Sequence, residues 1–168
     1  MACAPALRHH DRLTGDGGRA LVRSESRIEI ARPLATVYGF VVHDFLDNYP
    51  RWSPEVVELE PLDDRALAVG RRARQVRVDR GRRSETVVRV TALDEHRHVE
   101  FASEQSPWFR IRFDFAPRGA QATELAFTFE LTRLELYMRP FARLIRRAVD
   151  DGAQRVVTNI RELVETER

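Results

Sequence analysis

The fold of this chain is decided by residues 98–131, which read HVEFASEQSPWFRIRFDFAPRGAQATELAFTFEL. Apolar and polar residues alternate in three runs, His98–Ser103, Trp108–Phe115 and Thr123–Leu131, and this period of two is typical of half-buried β-strands. Segments rich in Pro, Gly, Ser and Gln separate the runs and indicate turns. We therefore predict an antiparallel meander with one apolar face, which must be buried against another layer.

The same alternation predicts further strands upstream, at Val22–Ile30, Val56–Glu60, Arg71–Asp79 and Glu85–Leu93. Between the first two strands we expect two short helices, over Pro33–Val42 and Asp44–Tyr49. Proline is favoured at the first helical position, which suits Pro33. Proline disfavours the helix interior, so Pro50 is expected to end the second helix.

A long amphipathic helix is predicted after the meander, within residues 136–167 and beginning near Pro140. Its apolar residues recur at helical spacing, at Phe141, Leu144, Ile145, Ala148, Val156, Ile160 and Leu163. Gly152 interrupts the centre at a cost of about 1 kcal/mol relative to alanine, and would let the helix bend or approach the sheet closely. A single helix covering the apolar face of a sheet favours a cavity between them.

Hairpin closure predicts which residues of adjacent strands are neighbours. Closing the turn at residues 79–83 places Arg74, Val76 and Thr86 on the apolar face, and places Arg77 on the opposite face. The predicted pairs are Arg77–Glu85, Val76–Thr86, Arg74–Val88, Val90–Phe101, Thr91–Glu100, Phe101–Ile111, Val99–Phe113, Glu100–Arg112, Phe113–Leu125, Ile111–Phe127 and Phe109–Phe129.

The order of elements resembles the START-like (SRPBCC) superfamily, in its polyketide cyclase/dehydrase and lipid-transport branch. The resemblance covers about residues 22–166 and is carried by Ile28–Pro33, Tyr49–Pro54, Val69–Arg71, and the hairpin of Val90–Leu93 with His98–Phe101. It implies an α+β helix-grip fold, in which an antiparallel, curved sheet of six to seven strands wraps around the long C-terminal helix.

The resemblance and the one-sided apolar sheet lead to the same function. We expect a hydrophobic small molecule, of lipid, quinone or polyketide-like type, to bind in a cavity between the sheet and the C-terminal helix. Two alternatives stay open. The chain resembles a superfamily that includes polyketide aromatase/cyclases, which act on a chain held in such a cavity. A basic hairpin could instead dock transiently on a protein or membrane surface.

Composition excludes several classes of chemistry. The 168 residues include 28 basic ones, all of them arginine, so catalysis through a lysine Schiff base is excluded. Cys3 is the only cysteine, so an intramolecular disulfide is impossible. The formal charge of +2 at neutral pH gives no reason to expect nucleic-acid binding.

The chain is expected to hold one domain, residues 21–168, preceded by a loosely attached leader at residues 1–20. The leader lacks periodicity, and its Ala2–Leu7 run is too short for the apolar part of a signal peptide. No apolar run approaches the roughly 20 residues of a membrane span. We therefore expect a cytoplasmic location.

Candidate ligand-binding residues are those that the predicted register places on the apolar face, together with the aromatics at its edges and the start of the last helix. They are Trp52, Arg74, Val76, Thr86, Val88, Val90, Phe101, Ser103, Trp108, Ile111, Phe113, Phe127, Phe141 and Ile145. If the protein is an enzyme, Arg74, Thr86 and Ser103 are the candidates to bind and polarise an oxygen of the substrate, because charge acts strongly in an apolar site.

Neither the histidines nor the basic run predicts a specific site. His96 and His98 flank a turn with only Glu95 near them, so no metal site or other cofactor is expected. The run from Arg71 to Arg83 holds seven arginines without interleaved aromatic residues, which favours a solvated hairpin over a nucleic-acid surface.

Overall fold

A computed structural model describes residues 22–133 and 140–167 of the chain. The elements are β1 (Val22–Ile30), α1 (Leu34–Tyr38), a π-helical turn (Gly39–His43), α2 (Phe45–Trp52), β2 (Val56–Pro61), β3 (Arg72–Asp79), β4 (Arg82–Asp94), β5 (His98–Ser103), β6 (Phe109–Pro117), β7 (Thr123–Leu131) and α3 (Ala142–Thr166). The leader, residues 1–20, lies outside the described residues, as do residues 136–139 of the predicted last helix.

All seven strands form one antiparallel sheet in the order β1-β7-β6-β5-β4-β3-β2. Helix α3 packs across the inner face of this sheet, mainly against β1 and β7, through Ala153, Val157, Ile160 and Val164. The predicted α+β helix-grip fold is confirmed, with the curved sheet on one side of the core and α3 on the other.

The centre of the meander keeps the predicted register. Phe101 pairs with Val90 on one side and with Ile111 on the other, and Val99 pairs with Phe113. A bulge in β4 moves the partner of Glu100 from the predicted Thr91 to Ala92, although the Thr91 hydroxyl still donates to Glu100 Oε1 at 2.7 Å.

The last hairpin is shifted by two residues from its prediction. Phe113 pairs with Phe127 rather than with Leu125, and Phe109 pairs with Leu131. A shift of two residues keeps every side chain on its face, because side chains alternate with a period of two. The apolar face predicted for β6 and β7 is therefore correct although the pairs are not.

The hairpin of β3 and β4 is shifted by one residue, and this inverts the predicted faces of β3. Arg77 pairs with Ser84 rather than with Glu85, because the turn contains only two residues, Arg80 and Gly81, both with positive φ (50° and 81°). Such a turn matches the twist of paired strands and favours glycine. Arg77 therefore lies on the inner face, towards α3.

Helix α2 runs through Pro50 and ends at Trp52, so the prediction that Pro50 ends it is wrong. The extension buries Tyr49 and Trp52 in the core, and this burial outweighs the one backbone hydrogen bond that a proline cannot make. Within the described residues, no helix is long and apolar enough to cross a membrane.

Candidate ligand-binding cavity

A cavity of about 340 Å³ lies between the inner face of the sheet and α3. Its opening lies among the exposed lining residues, which are Pro54, Asp79, Pro107, Ala148 and Arg155. Its walls are formed by Tyr49, Trp52, Ser53, Pro54, Glu55, Arg77, Asp79, Ser84, Pro107, Phe109, Ile111, Phe113, Phe127, Phe129, Leu131, Ala148, Val149, Gly152, Ala153, Arg155, Val156 and Asn159.

Aromatic rings form most of the cavity wall that β6 and β7 supply. Trp52 is buried and meets Phe113 edge-on, with ring centroids 6.2 Å apart, and Phe113 packs on Phe127 at 4.9 Å. The rings of Phe109 and Phe129 stack at 5.8 Å across β6 and β7. Their positions follow from the inward register of these strands, and they give the cavity a rigid apolar surface.

A guanidinium interrupts this apolar wall. Arg77 donates from Nε and Nη2 to the two carboxylate oxygens of Asp79, both at 3.3 Å, and from Nη1 to Ser53 Oγ at 3.4 Å. Its side chain is 26% exposed, so the charge lies at the rim of the cavity. The group can offer hydrogen bonds to an oxygen of a bound molecule.

Tyr49 lies beside Arg77 and is 6% exposed. Burial raises the pKa of its hydroxyl above the ordinary value, and the positive charge of Arg77 offsets this only in part. The phenol therefore keeps its proton at neutral pH and acts as a hydrogen-bonding group rather than as an anion.

Helix α3 closes the cavity with small side chains at Ala148, Gly152 and Ala153. A second ion pair stands at the rim, between Arg155 Nη2 and Glu55 Oε1 at 3.4 Å. One turn further along, Asn159 Nδ2 donates to the backbone oxygen of Trp52 at 3.0 Å and ties α3 to the end of α2. Because Gly152 has no side chain, it leaves more space in the cavity, and α3 continues through it without a break.

Four of the predicted ligand-binding residues line this cavity: Trp52, Ile111, Phe113 and Phe127. Three others, Val88, Val90 and Phe101, are buried on the same face but border a separate hollow of about 10 Å³. Thr86 is also on the inner face and 3% exposed, without contributing to the cavity wall as it stands.

Ser103 and Trp108 have structural contacts outside the cavity. The Ser103 hydroxyl donates to the backbone oxygen of Pro107 and accepts from the backbone nitrogen of Phe109, both at 2.8 Å, so it fixes the turn between β5 and β6. Trp108 is half-buried, and the Arg133 guanidinium lies 4.5 Å from its ring centroid.

The start of α3 also lies away from the cavity. Phe141 is 58% exposed, and Ile145 is half-buried without contributing to the wall. The apolar spacing of this helix predicts one continuous inner face, but its first turns extend beyond the sheet that the later turns cover.

Arg74 and Val76 are on the outer face, so their predicted place in the cavity is wrong. The one-residue shift of the β3–β4 hairpin is the cause. Arg74 donates to Glu58 at 2.7 Å, to Glu60 at 3.0 Å and to Glu85 at 3.1 Å, and the hydrogen bond to Glu58 is the main reason that the pKa of Arg74 is raised.

Ion pairs of the same kind bear on the interpretation of the basic run from Arg71 to Arg83. Arg83 pairs with Glu58 at 2.7 Å, and Arg72 pairs with Glu104 at 3.5 Å. Acidic residues of neighbouring strands therefore compensate much of its charge. This arrangement fits the solvated hairpin of the sequence analysis better than a cationic docking surface.

A cyclase built on Arg74, Thr86 and Ser103 would need these side chains to converge on one substrate atom. The structure separates them: Arg74 is on the outer face, Thr86 is inside the core, and Ser103 is committed to the β5–β6 turn. Within residues 22–133 and 140–167, no three His, Cys, Asp or Glu side chains form a group that could hold a metal ion.

Sequence reasoning missed the polar residues of the cavity, chiefly Tyr49, Arg77, Asp79 and Ser84. The signal for three of them was present in the Arg80-Gly81 dipeptide, because a two-residue turn there places residues 77, 79 and 84 inward. Glu55, Arg155 and Asn159 gave no such signal, since they meet only through contacts between distant parts of the chain.

The sheet order, the single long helix and the cavity between them define a START-like helix-grip protein. The chain belongs to the polyketide cyclase/dehydrase and lipid transport family, whose sequence profile matches residues 22–165. The resemblance seen in the sequence is thereby confirmed. No curated protein sequence matches the chain.

Solved structures show the same fold. A START superfamily protein from Mycobacterium smegmatis is 17% identical, with a TM-score of 0.71 over 85% of this chain and 97% of its own. Zhui aromatase/cyclase from Streptomyces sp. R1128 is 18% identical, with a TM-score of 0.71 over 85% and 93%. TTHA0849 from Thermus thermophilus is 18% identical, with a TM-score of 0.70 over 84% and 96%. At these identities the likeness establishes the fold alone.

Proposed function

We propose that this protein binds a hydrophobic small molecule with an oxygen-bearing polar end in the cavity beneath α3. The observation that carries the proposal is the cavity itself, about 340 Å³ of space whose wall includes six aromatic side chains. This volume falls within the range of roughly 300–1,000 Å³ that small-molecule sites occupy. Its charged side chains, Glu55, Arg77, Asp79 and Arg155, would orient the ligand.

The rim favours a polar but compact head group. Arg77 is paired with Asp79 and Arg155 with Glu55, so the two cations are each balanced by a carboxylate. A carbonyl, hydroxyl or carboxylate of the ligand would accept hydrogen bonds from the guanidinium of Arg77. The Tyr49 hydroxyl, which keeps its proton, supplies a neutral group beside it.

The body of the ligand is best matched by a ring system. Phe109, Phe113, Phe127 and Trp52 supply ring faces and edges at fixed positions, and such surfaces pack well on planar molecules. Among lipid, quinone and polyketide-like compounds, this favours the cyclic ones. A cytoplasmic location is part of the same proposal, and it predicts that the protein carries its ligand in the soluble fraction of the cell.

Two tryptophans allow a direct test. Trp52 lines the cavity and Trp108 does not, so Trp108→Phe leaves a single reporter of occupancy. We expect 8-anilino-1-naphthalenesulfonate, an aromatic anion, to change the emission of Trp52 saturably with one site per chain. In the matched variant Trp52→Phe, the emission of Trp108 should stay constant. Unchanged Trp52 emission at saturating probe would overturn the proposal.

Native mass spectrometry of the purified protein gives a second test. A bound molecule that co-purifies with the chain should appear as a discrete mass increment and be released under denaturing conditions. Its exact mass would identify the compound. Displacement of that molecule by the naphthalenesulfonate probe would place both in the same site.

A further inference from the structure

Gln75 and Thr86 face each other across β3 and β4 on the inner face of the sheet. Gln75 is 1% exposed and Thr86 is 3% exposed. Neither amide atom of Gln75 has a hydrogen-bond partner among the described residues, and the same holds for the hydroxyl of Thr86. Two donors and two acceptors of neutral groups are thus gathered at one place without partners.

Such a cluster needs an explanation, because an unpaired buried polar group destabilises the folded protein. Buried polar groups in native structures almost always have a partner, either a protein group or an ordered molecule such as water. An apolar pair such as leucine and valine would fill the same space without this penalty. The polar pair is therefore expected to have a partner that the chain itself does not supply.

The position of the pair indicates what that partner is. The next inner pair along the strands, Arg77 and Ser84, lines the large cavity, and the preceding one, Ala73 and Val88, borders the small hollow. Inner-face positions on one strand are about 7 Å apart, so Gln75 and Thr86 lie one such position from residues of the cavity wall.

We propose that Gln75 and Thr86 form a polar subsite at the inner end of the ligand cavity. It binds a neutral oxygen, a carbonyl or a hydroxyl, on the part of the ligand next to the part that Arg77 contacts. Amide and hydroxyl groups both donate and accept, and the pair carries no charge, so a neutral oxygen is its natural partner. This inference rests on the proposed function, and it narrows the ligand to a ring system that carries a second oxygen near the one that Arg77 contacts.

The test compares fluorene with 9-fluorenone, which share one ring frame and differ by a single carbonyl oxygen. Isothermal titration calorimetry should show that the unaltered protein prefers fluorenone by about tenfold, as one additional buried hydrogen bond provides. In the double variant Gln75→Leu/Thr86→Val this preference should disappear, while fluorene binds at least as tightly as before. Thr128→Val, a buried threonine that does not line the cavity, should keep the preference.

The outcomes separate the two proposals. Equal binding of both probes by the unaltered protein, or a preference that survives in the double variant, overturns the subsite and leaves the binding function standing. Binding of neither probe overturns the binding function and the subsite together. Melting temperature provides a further readout: the ligand-free double variant should be at least as stable as the unaltered protein. A lower melting temperature of the double variant, together with an unchanged preference for fluorenone, would mean that Gln75 and Thr86 bind a structural water. This result would overturn the subsite.

Discussion

Arg77 donates to both carboxylate oxygens of Asp79, each at 3.3 Å, and this ion pair stands in the wall of a cavity that six aromatic side chains also line. Burial alone lowers the pKa of Arg77, but Tyr49 and Asp79 outweigh it and the pKa is raised overall. The guanidinium therefore stays charged at every pH at which the protein folds. It is the one strongly polar donor that the inner face of β3 presents at the rim.

Replacing this cation should change ligand selectivity more than stability. In Arg77→Met the side chain keeps an unbranched apolar stem but loses the guanidinium, and Asp79, whose side chain is 53% exposed, regains water. We expect the affinity for 8-anilino-1-naphthalenesulfonate to fall about tenfold, because a charge-assisted contact is worth roughly 1.5–3 kcal/mol in favourable cases. Fluorescence titration measures the change, and neutral fluorene should bind almost as before.

Arg74→Met is the matched control for this variant. Arg74 is on the same strand but on the outer face, among Glu58, Glu60 and Glu85. It should leave probe affinity unchanged and shift the urea unfolding midpoint only slightly, as is typical of surface ion pairs. Equal losses of probe affinity in the two variants would show that the position of Arg77 on the inner face does not matter for probe binding.

Gly152 should couple helix stability to cavity size. An added Cβ would meet only the end of the Arg155 side chain, at 3.9 Å, so alanine fits without displacing the backbone. Gly152→Ala should raise the free energy of unfolding by up to about 1 kcal/mol, through helix propensity, and narrow the cavity that Gly152 lines. Urea unfolding should therefore show a higher free energy of unfolding, whereas calorimetry should show weaker binding of the probe. A gain in both would mean that ligands do not reach this part of the wall.

How well the sequence predicts the two faces of the sheet depends on whether a hairpin register is wrong by one residue or by two. The two-residue shift of Phe113 from Leu125 to Phe127 left its face unchanged, so the apolar wall of β6 and β7 was predictable. The one-residue shift at the β3–β4 turn exchanged Arg74 for Arg77 on the inner face. Alternation of polarity gives weak guidance in β3, because arginines occur at both parities in this strand, at Arg72, Arg74 and Arg77.

The rim of the cavity was beyond sequence reasoning for a different reason. Glu55 meets Arg155 from a position 100 residues away, and Asn159 meets Trp52 from 107 residues away. Such contacts depend on how α3 crosses the sheet, which periodicity does not determine. Helix α2 shows the same limit, because tertiary burial of Trp52 overrides the local tendency of Pro50 to end a helix.

Ala148 should control entry to the cavity. It lines the opening and is exposed, so a larger side chain there can cover the opening without entering the core. Ala148→Phe is expected to slow association of the naphthalenesulfonate probe and to lower its affinity at least severalfold, measured by stopped-flow emission of Trp52. Asp151→Phe adds the same ring at an exposed position that does not line the cavity, and should bind the probe at the normal rate. A normal rate in Ala148→Phe would place the entrance elsewhere.

Tyr49 should give the protein a specific loss of stability in alkali. Burial raises its pKa in the folded state above the value of about 10 expected in the unfolded chain. Between these two pKa values the folded state holds a proton that the unfolded state has lost, so the free energy of unfolding falls as pH rises through this window. Below pH of about 10 the contribution of Tyr49 to the free energy of unfolding is fully present. Urea unfolding between pH 8 and 11 measures the fall, and absorbance at 295 nm follows the phenolate. Tyr49→Phe should flatten the fall in part, leaving the share of Tyr38, whose pKa is also raised by burial. An unchanged alkaline profile in Tyr49→Phe would mean that the Tyr49 hydroxyl is hydrated in the folded protein, and the cavity rim would then be wetter than its packing indicates.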